Sequence, residues 1–115
     1  RILHRGGAVI FALVDQTVVG TCALINHQDG TLELAKMAVD PAYRRRGLGQ
    51  RLATETIARA RLTGADKLWL RTSPKLKSAE LLYRRLGFRR DRHHPFGEDT
   101  YRRETFTMAL NLNPQ

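Results

Sequence analysis

Residues 44–49 read Arg44-Arg45-Arg46-Gly47-Leu48-Gly49 and lie between an apolar, strand-like stretch and an amphipathic one. Two glycines one residue apart let a backbone turn tightly and approach a ligand closely. The helix expected to follow begins with N–H groups that have no partner inside it and that face whatever the turn encloses. Three arginines bring positive charge to the same place. The combination is a cradle for a phosphate or pyrophosphate.

Upstream of the cradle the pattern is that of strands. Ala8–Val14 is short, rich in apolar residues and bounded by Gly6-Gly7 and Asp15-Gln16. Thr17–Asn26 reads as its hairpin partner, with Gly20 marking a bulge or a close approach of backbone. His27-Gln28-Asp29-Gly30 is a turn, and Thr31–Val39 a third strand that Asp40-Pro41 stops. Downstream the period changes. Gly49, Leu52, Ala53, Thr56, Ile57 and Ala60 recur at helical spacing, with Arg51, Glu55 and Arg59 on the opposite face and Gly64 as the end. Lys67–Thr72 has apolar residues on both faces and is expected to be a buried strand. Ser73-Pro74 reads as an N-cap and first helical position. Ala79, Leu82, Tyr83 and Leu86 form that helix's apolar face, and Gly87 closes it. Phe88 starts an extended segment, 91–99 is a polar loop, and 100–112 is a last strand with Phe106, Met108 and Leu110 on one face. The order β-β-β-α-β-α-β predicts a mixed α/β fold.

A chain of 115 residues is expected to form one domain with a modest core. No 18-residue apolar run is present and no signal-peptide pattern starts at Arg1, so a reducing cytoplasm is the expected location. The single cysteine, Cys22, excludes an internal disulfide and is expected in the core. The net charge of +9 is uneven. Residues 1–40 carry three Lys/Arg against four Asp/Glu, and residues 41–115 carry seventeen against seven. The basic half contains the cradle, so the partners it suggests are a phosphorylated cofactor, nucleic acid or an acidic protein. The arginines are scattered and no aromatic stacking ladder accompanies them, which disfavours a nucleic-acid-binding module. The cradle lacks the Gly-Lys-Ser/Thr of a nucleotide-binding P-loop and the Gly-x-Gly-x-x-Gly of a dinucleotide fold.

Three motifs in order, Glu33-Leu-Ala-Lys-Met-Ala-Val39-Asp-Pro, then Arg44-x-x-Gly47-x-Gly49, then Ala79-x-x-x-Tyr83-x-x-x-Gly87-Phe88, resemble the GNAT superfamily of acetyl-CoA-dependent N-acetyltransferases. The resemblance covers roughly residues 6–112. It implies a mostly antiparallel sheet with flanking helices, in which the third strand splays from Leu68–Thr72. The pantetheine arm of acetyl-CoA would lie in that slot along Met37, Ala38 and Val39. Arg44, Arg45, Arg46, Gly47, Leu48, Gly49 and Gln50 would hold the pyrophosphate, mainly through backbone N–H groups. It also implies that the family's N-terminal strand and helices are absent before Arg1.

The resemblance assigns Tyr83 as the general acid for the departing thiolate, since a phenol is protonated at neutral pH. It assigns Glu33, directly or through water, as the base for the incoming ammonium. A backbone N–H near Met37–Val39 would stabilise the oxyanion. Where many members carry Asn, this chain has Leu76. It looks instead like the group reading Thr-Asn-x-x-Leu-x-x-Ala, with Ser73 for Asn, which makes Ser73 a further candidate at the cofactor. His93-His94 lacks ligand-spaced neighbours, and no metal is expected. The acceptor is an amine, either a small molecule or a protein amine, and homodimerisation is a family habit. The alternatives are, second, a basic nucleic-acid-binding module and, third, a CoA-binding fold without activity.

Overall fold

The computed structural model describes residues 7–27, 30–92 and 105–113. Strands β1 (Ala8–Val14), β2 (Thr17–Asn26) and β3 (Leu32–Val39) form an antiparallel meander. A single turn of 3₁₀ helix, Pro41–Tyr43, leads to helix α1 (Leu48–Leu62). Strand β4 (Lys67–Thr72), helix α2 (Lys77–Arg85), strand β5 (Arg89–Arg90) and strand β6 (Phe106–Asn111) follow. The six strands form one sheet in the order β1-β2-β3-β4-β6-β5, with β3–β4 its one parallel pair among the described residues. This is the expected mixed α/β architecture, with β5 as an added element too short to leave a periodicity.

The residues expected on the inner face of α1 are those that bury. Leu52, Ala53, Thr56, Ile57 and Ala60 face the sheet. Alternate residues of a strand share a face. Cys22 and Leu24 of β2, Leu32 and Leu34 of β3, Leu68 and Leu70 of β4, and Met108 and Leu110 of β6 meet the helices. Phe88, fully buried, and Tyr83 of α2 close this core edge to face, their ring centroids 5.7 Å apart. On the opposite face of β1, Phe11 and Leu13 are exposed.

Two expectations are corrected. Strand β4 is not buried on both faces: Leu68, Leu70 and Thr72 are buried, whereas Trp69 is half-buried and Arg71 exposed. Trp69 lies instead beneath the Lys67 ammonium, 5.4 Å from the ring centroid. Ser73 does not cap α2. Its Oγ accepts from the Lys75 N–H at 3.1 Å and its carbonyl from the Leu76 N–H at 2.9 Å, forming a separate turn, and the helix starts at Lys77 with Leu76 as N-cap. Pro74 fits that turn equally well, because its fixed φ suits a turn's second residue as well as a helix's first. Strand β6 is paired on both sides at Met108 and Ala109. Gln28, Asp29, the loop residues 93–99 with His93-His94, and 100–104 of the expected last strand lie outside the described residues.

Candidate active site

Backbone irregularities shape the middle of the sheet. Strand β3 pairs with β4 only at Leu32↔Leu68 and Glu33↔Trp69. Beyond Glu33 the two strands part, so among the described residues β3 from Leu34 to Val39 has β2 on one side and no strand on the other. This is the expected splay. On its paired side β3 carries a bulge. The β2 register runs from Thr21↔Ala38 to Ala23↔Ala35, which sets Lys36 and Met37 against the single residue Cys22. Lys36 adopts φ 55°, and its carbonyl accepts from Thr21 Oγ1 at 3.0 Å. A lysine at positive φ gives no warning in sequence, and the bulge was not foreseen. It takes Lys36 and Met37 out of the β2 ladder beside the slot. Met37 and Val39 pack half-buried on the core, while Ala38 is exposed.

The cradle follows. Asp40 Oδ1 accepts from the Ala42 N–H at 2.9 Å and so sets the 3₁₀ turn. Arg45 (φ 66°) and Gly47 (φ 77°) are both left-handed, and a Cβ on Gly47 would meet nothing within 4 Å. Gly47 is the N-cap of α1 and supplies no side-chain cap. The first N–H to find a helical acceptor is that of Arg51, which reaches the Gly47 carbonyl at 3.1 Å. Among the described residues, therefore, the N–H groups of Arg45, Arg46, Gly47, Leu48, Gly49 and Gln50 have no acceptor. They stand at the positive end of a 15-residue helix. Beside them lies an open hollow of about 460 Å³ lined by Arg46, Gly47, Gln50, Arg51, Thr54 and Glu55. The arginine side chains divide their tasks. Arg44 Nε donates to the Val39 carbonyl at 3.2 Å and ties the loop to the end of β3. Arg46 lies over the Tyr43 ring, 5.0 Å from its centroid. Arg45 makes no such contact among the described residues and is exposed.

Helix α2 closes the other side. Leu82 sits 3.5 Å from where a Gly49 Cβ would be, an ordinary contact that leaves room for a methyl group. Tyr83 is 6% exposed. Burial, with a smaller contribution from the nearby Cys22 thiol, pushes its hydroxyl up to about 12. The hydroxyl makes no hydrogen bond among the described residues, yet it is not sealed from solvent. Its electrostatic neighbour Cys22 is the residue opposite the bulge. Cys22 itself is fully buried as expected, its thiol raised by that burial and hydrogen-bonded to Thr56.

Glu33 occupies the vertex where β3 and β4 part. It shares a sheet face with its cross-strand partners Ile25 and Trp69, opposite the face that meets α1 and α2. Glu33 and Tyr83 thus lie on opposite sides of the sheet. The carboxylate contacts a residue the sequence reading did not single out: His27 Nε2 lies 2.7 Å from Glu33 Oε1. The pairing was recoverable in principle. Ile25 pairs with Glu33, and His27, two residues on, is its diagonal neighbour on the same face. Ser73, half-buried at the end of β4, uses its hydroxyl in its own turn. No group of three His, Cys, Asp or Glu suited to a metal ion occurs among the described residues.

The split sheet, cradle and buried tyrosine accord with the comparisons with known proteins. A family model described as Acetyltransferase (GNAT) family matches residues 1–88. The chain belongs to this family and is an N-acetyltransferase. An uncharacterised N-acetyltransferase of Mycobacterium tuberculosis is 28% identical over 105 residues, covering 91% of this chain and 67% of the relative. N-acetylaspartate synthetase of Rattus norvegicus is 32% identical over 106 residues, 91% of this chain but only 34% of that protein. A GNAT acetyltransferase structure from Staphylococcus aureus superposes with a TM-score of 0.83 at 29% identity, covering 96% of this chain and 71% of that one. Structures sharing the fold at 19% and 18% identity include complexes with acetyl coenzyme A and coenzyme A. Among the described residues no helix is long and apolar enough to cross a membrane.

Proposed function

We propose that this chain moves an acetyl group from acetyl-CoA to a primary amine by direct attack in a ternary complex. The observation that carries the reading is the run of six consecutive backbone N–H groups, Arg45 to Gln50, that have no acceptor among the described residues, at a helix N-terminus beside a strand edge that is unpaired among the same residues. Donors in that number are satisfied by an anion with several oxygens, as a pyrophosphate has. The free edge of β3 at Met37, Ala38 and Val39 suits an extended amide-bearing arm that pairs like a strand. Arg44 holds the loop in place, Arg45 and Arg46 add charge, and Ser73 borders the slot from β4. When bound, acetyl-CoA supplies the activated thioester.

The chain's own groups manage the protons. Glu33 takes one from the incoming ammonium, freeing the nitrogen lone pair. Tyr83 offers one at the leaving-group side. Its raised pKa keeps the hydroxyl protonated at neutral pH, and the same burial disfavours the tyrosinate left after donation. Tyr83 is therefore resupplied at once. Amide formation releases a second nitrogen proton, and the overall reaction yields one more proton than the thiol consumes. The Met37 N–H, outside the β2 ladder, is the candidate donor to the acetyl oxygen.

The test is a thermal-shift titration with acetyl-CoA and CoA, followed by acetyl-transfer assays against a panel of small amines, amino acids and peptides. Stabilisation by both ligands and turnover of at least one amine class are expected. Absence of any stabilisation would end the reading, and stabilisation without turnover would favour a CoA-binding fold lacking activity.

A further inference from the structure

We propose that His27 is the positioning residue for the Glu33 base, a role that rests on the acetyl-transfer reading above. His27 Nε2 and Glu33 Oε1 are 2.7 Å apart, with the histidine side chain 37% exposed and the carboxylate 13%. An ionised carboxylate can only accept, so the contact requires the proton on Nε2. The register fixes the geometry. His27 N–H donates to the Thr31 carbonyl at 2.8 Å, which closes the β2–β3 hairpin one step beyond the Asn26↔Leu32 pair. The imidazole is thereby held diagonally across from Glu33 on the same face of the sheet. Glu33 is the last β3 residue paired to β4 before the slot opens.

The two carboxylate oxygens are consequently unequal. Oε1 is held by His27. Oε2 makes no hydrogen bond among the described residues and is not sealed from solvent. A glutamate on a strand otherwise rotates about three bonds, and one charge-assisted hydrogen bond to a backbone-anchored imidazole selects the rotamer. Oε2 is then the oxygen that takes the proton. An ammonium N–H bond breaks, an O–H bond forms on Oε2, and the electron pair stays on nitrogen for attack on the acetyl carbon. The proton afterwards passes from Oε2 to water. His27 touches neither substrate nor cofactor and acts through Glu33 alone.

Two measurements on the full chain decide this. In ¹⁵N-labelled protein, Glu33→Gln should move the Nε2 resonance of His27 and leave the other three histidines in place. An unmoved resonance would overturn the pairing whatever the activity. In kinetics, His27→Ala should lower kcat on the order of tenfold, part of what general-base catalysis supplies, with the KM for acetyl-CoA unchanged. His27→Gln, which keeps an N–H donor, should recover most of the loss. Adding His27→Ala to Glu33→Gln should cost nothing further, since a residue acting only through Glu33 has nothing left to position. Wild-type turnover in His27→Ala, or a full second loss in the double variant, would refute the inference while the acetyl-transfer reading stands. A wild-type chain that acetylates no amine would remove that reading and the inference with it.

Discussion

Raising the pH tests the placement of Tyr83 without any ligand. Burial pushes its hydroxyl from the ordinary 10.0 up to about 12. The unfolded chain releases the same proton at the ordinary value. A pKa higher in the folded state adds stability that is complete below the unfolded value and disappears as the pH climbs through the folded one. Because desolvation of the anion is the cause, this is stability relative to a fold that buries tyrosinate: it is intact at neutral pH, declines above about pH 10 and is gone above about pH 12. Two units at about 1.4 kcal/mol each amount to about 3 kcal/mol. The Cys22 thiol, also raised by burial, produces its own decline above its ordinary 9.0. Tyr83→Phe separates the two, because Cys22 is present in both proteins. Urea unfolding followed by the fluorescence of Trp69 at a series of pH values from 8 to 12 should show the wild type losing about 2 kcal/mol more than the variant, since at pH 12 the folded tyrosine is only half ionised. At neutral pH the two should agree within about 1 kcal/mol, since the lost hydroxyl makes no hydrogen bond among the described residues. Parallel curves would mean that Tyr83 is not held as described. Because the variant is nearly neutral to folding at pH 7, a fall in turnover of about a hundredfold there, with acetyl-CoA affinity kept, would report the chemistry of the hydroxyl.

The glycines give contrasting outcomes. Gly49→Ala should leave stability unchanged or raise it by up to about 1 kcal/mol, because the methyl has room and alanine favours a helix. Weaker thermal stabilisation by acetyl-CoA in that variant would then report close approach of the ligand, and unchanged stabilisation would remove Gly49 from the site. Gly47→Ala should cost about 1 kcal/mol in urea unfolding through its φ of 77° alone, although its Cβ meets nothing. Gly20→Ala should cost about 1–3 kcal/mol, because its Cβ would lie 2.9 Å from Leu52 Cδ1 and 3.3 Å from the Ala38 carbonyl oxygen in a packed core. Arg45→Ala should leave urea unfolding within about 0.5 kcal/mol, as an exposed side chain, and weaken acetyl-CoA binding more at low salt than at high salt.

Legibility in the sequence followed the physics of each signal. Strands β1, β2 and β4 could be read to the residue because apolar clusters end at turn formers, and α1 because its inner face carries an unbroken helical period. The start of α2 was misplaced because serine and proline suit a turn and a helix entry alike, and only the Ser73–Leu76 hydrogen bond distinguishes them. Trp69 read as buried because composition cannot show that the Lys67 ammonium stands over its ring. The cradle was legible at Gly47, where a left-handed residue favours glycine. It was illegible at Arg45 and Lys36, which adopt the same region of backbone space with no glycine to mark it.

That last difference explains why the arginines, conspicuous as they are, are not the centre of the site. Left-handed backbone at a non-glycine residue carries a cost of order 1–3 kcal/mol and persists only when its surroundings enforce it. Here the enforcement is visible. Lys36 is held by the Thr21 hydroxyl on its carbonyl, and Arg45 sits between the Arg44–Val39 bond and the start of α1. Lys36 takes backbone groups out of the β2 ladder, and Arg45 lies in the loop that joins β3 to the helix N-terminus. A chain selected for stability alone would run β3 flush against β4 and cap α1 with serine or aspartate. Keeping the strand edge and six helix-entry N–H groups open has a folding cost that a ligand filling both would offset. Acetyl-CoA should therefore stabilise this fold more strongly than its adenosine diphosphate portion. The latter offers the same pyrophosphate to the cradle and nothing to the strand edge, so equal shifts for the two in a thermal titration would contradict the strand-pairing role of Met37, Ala38 and Val39.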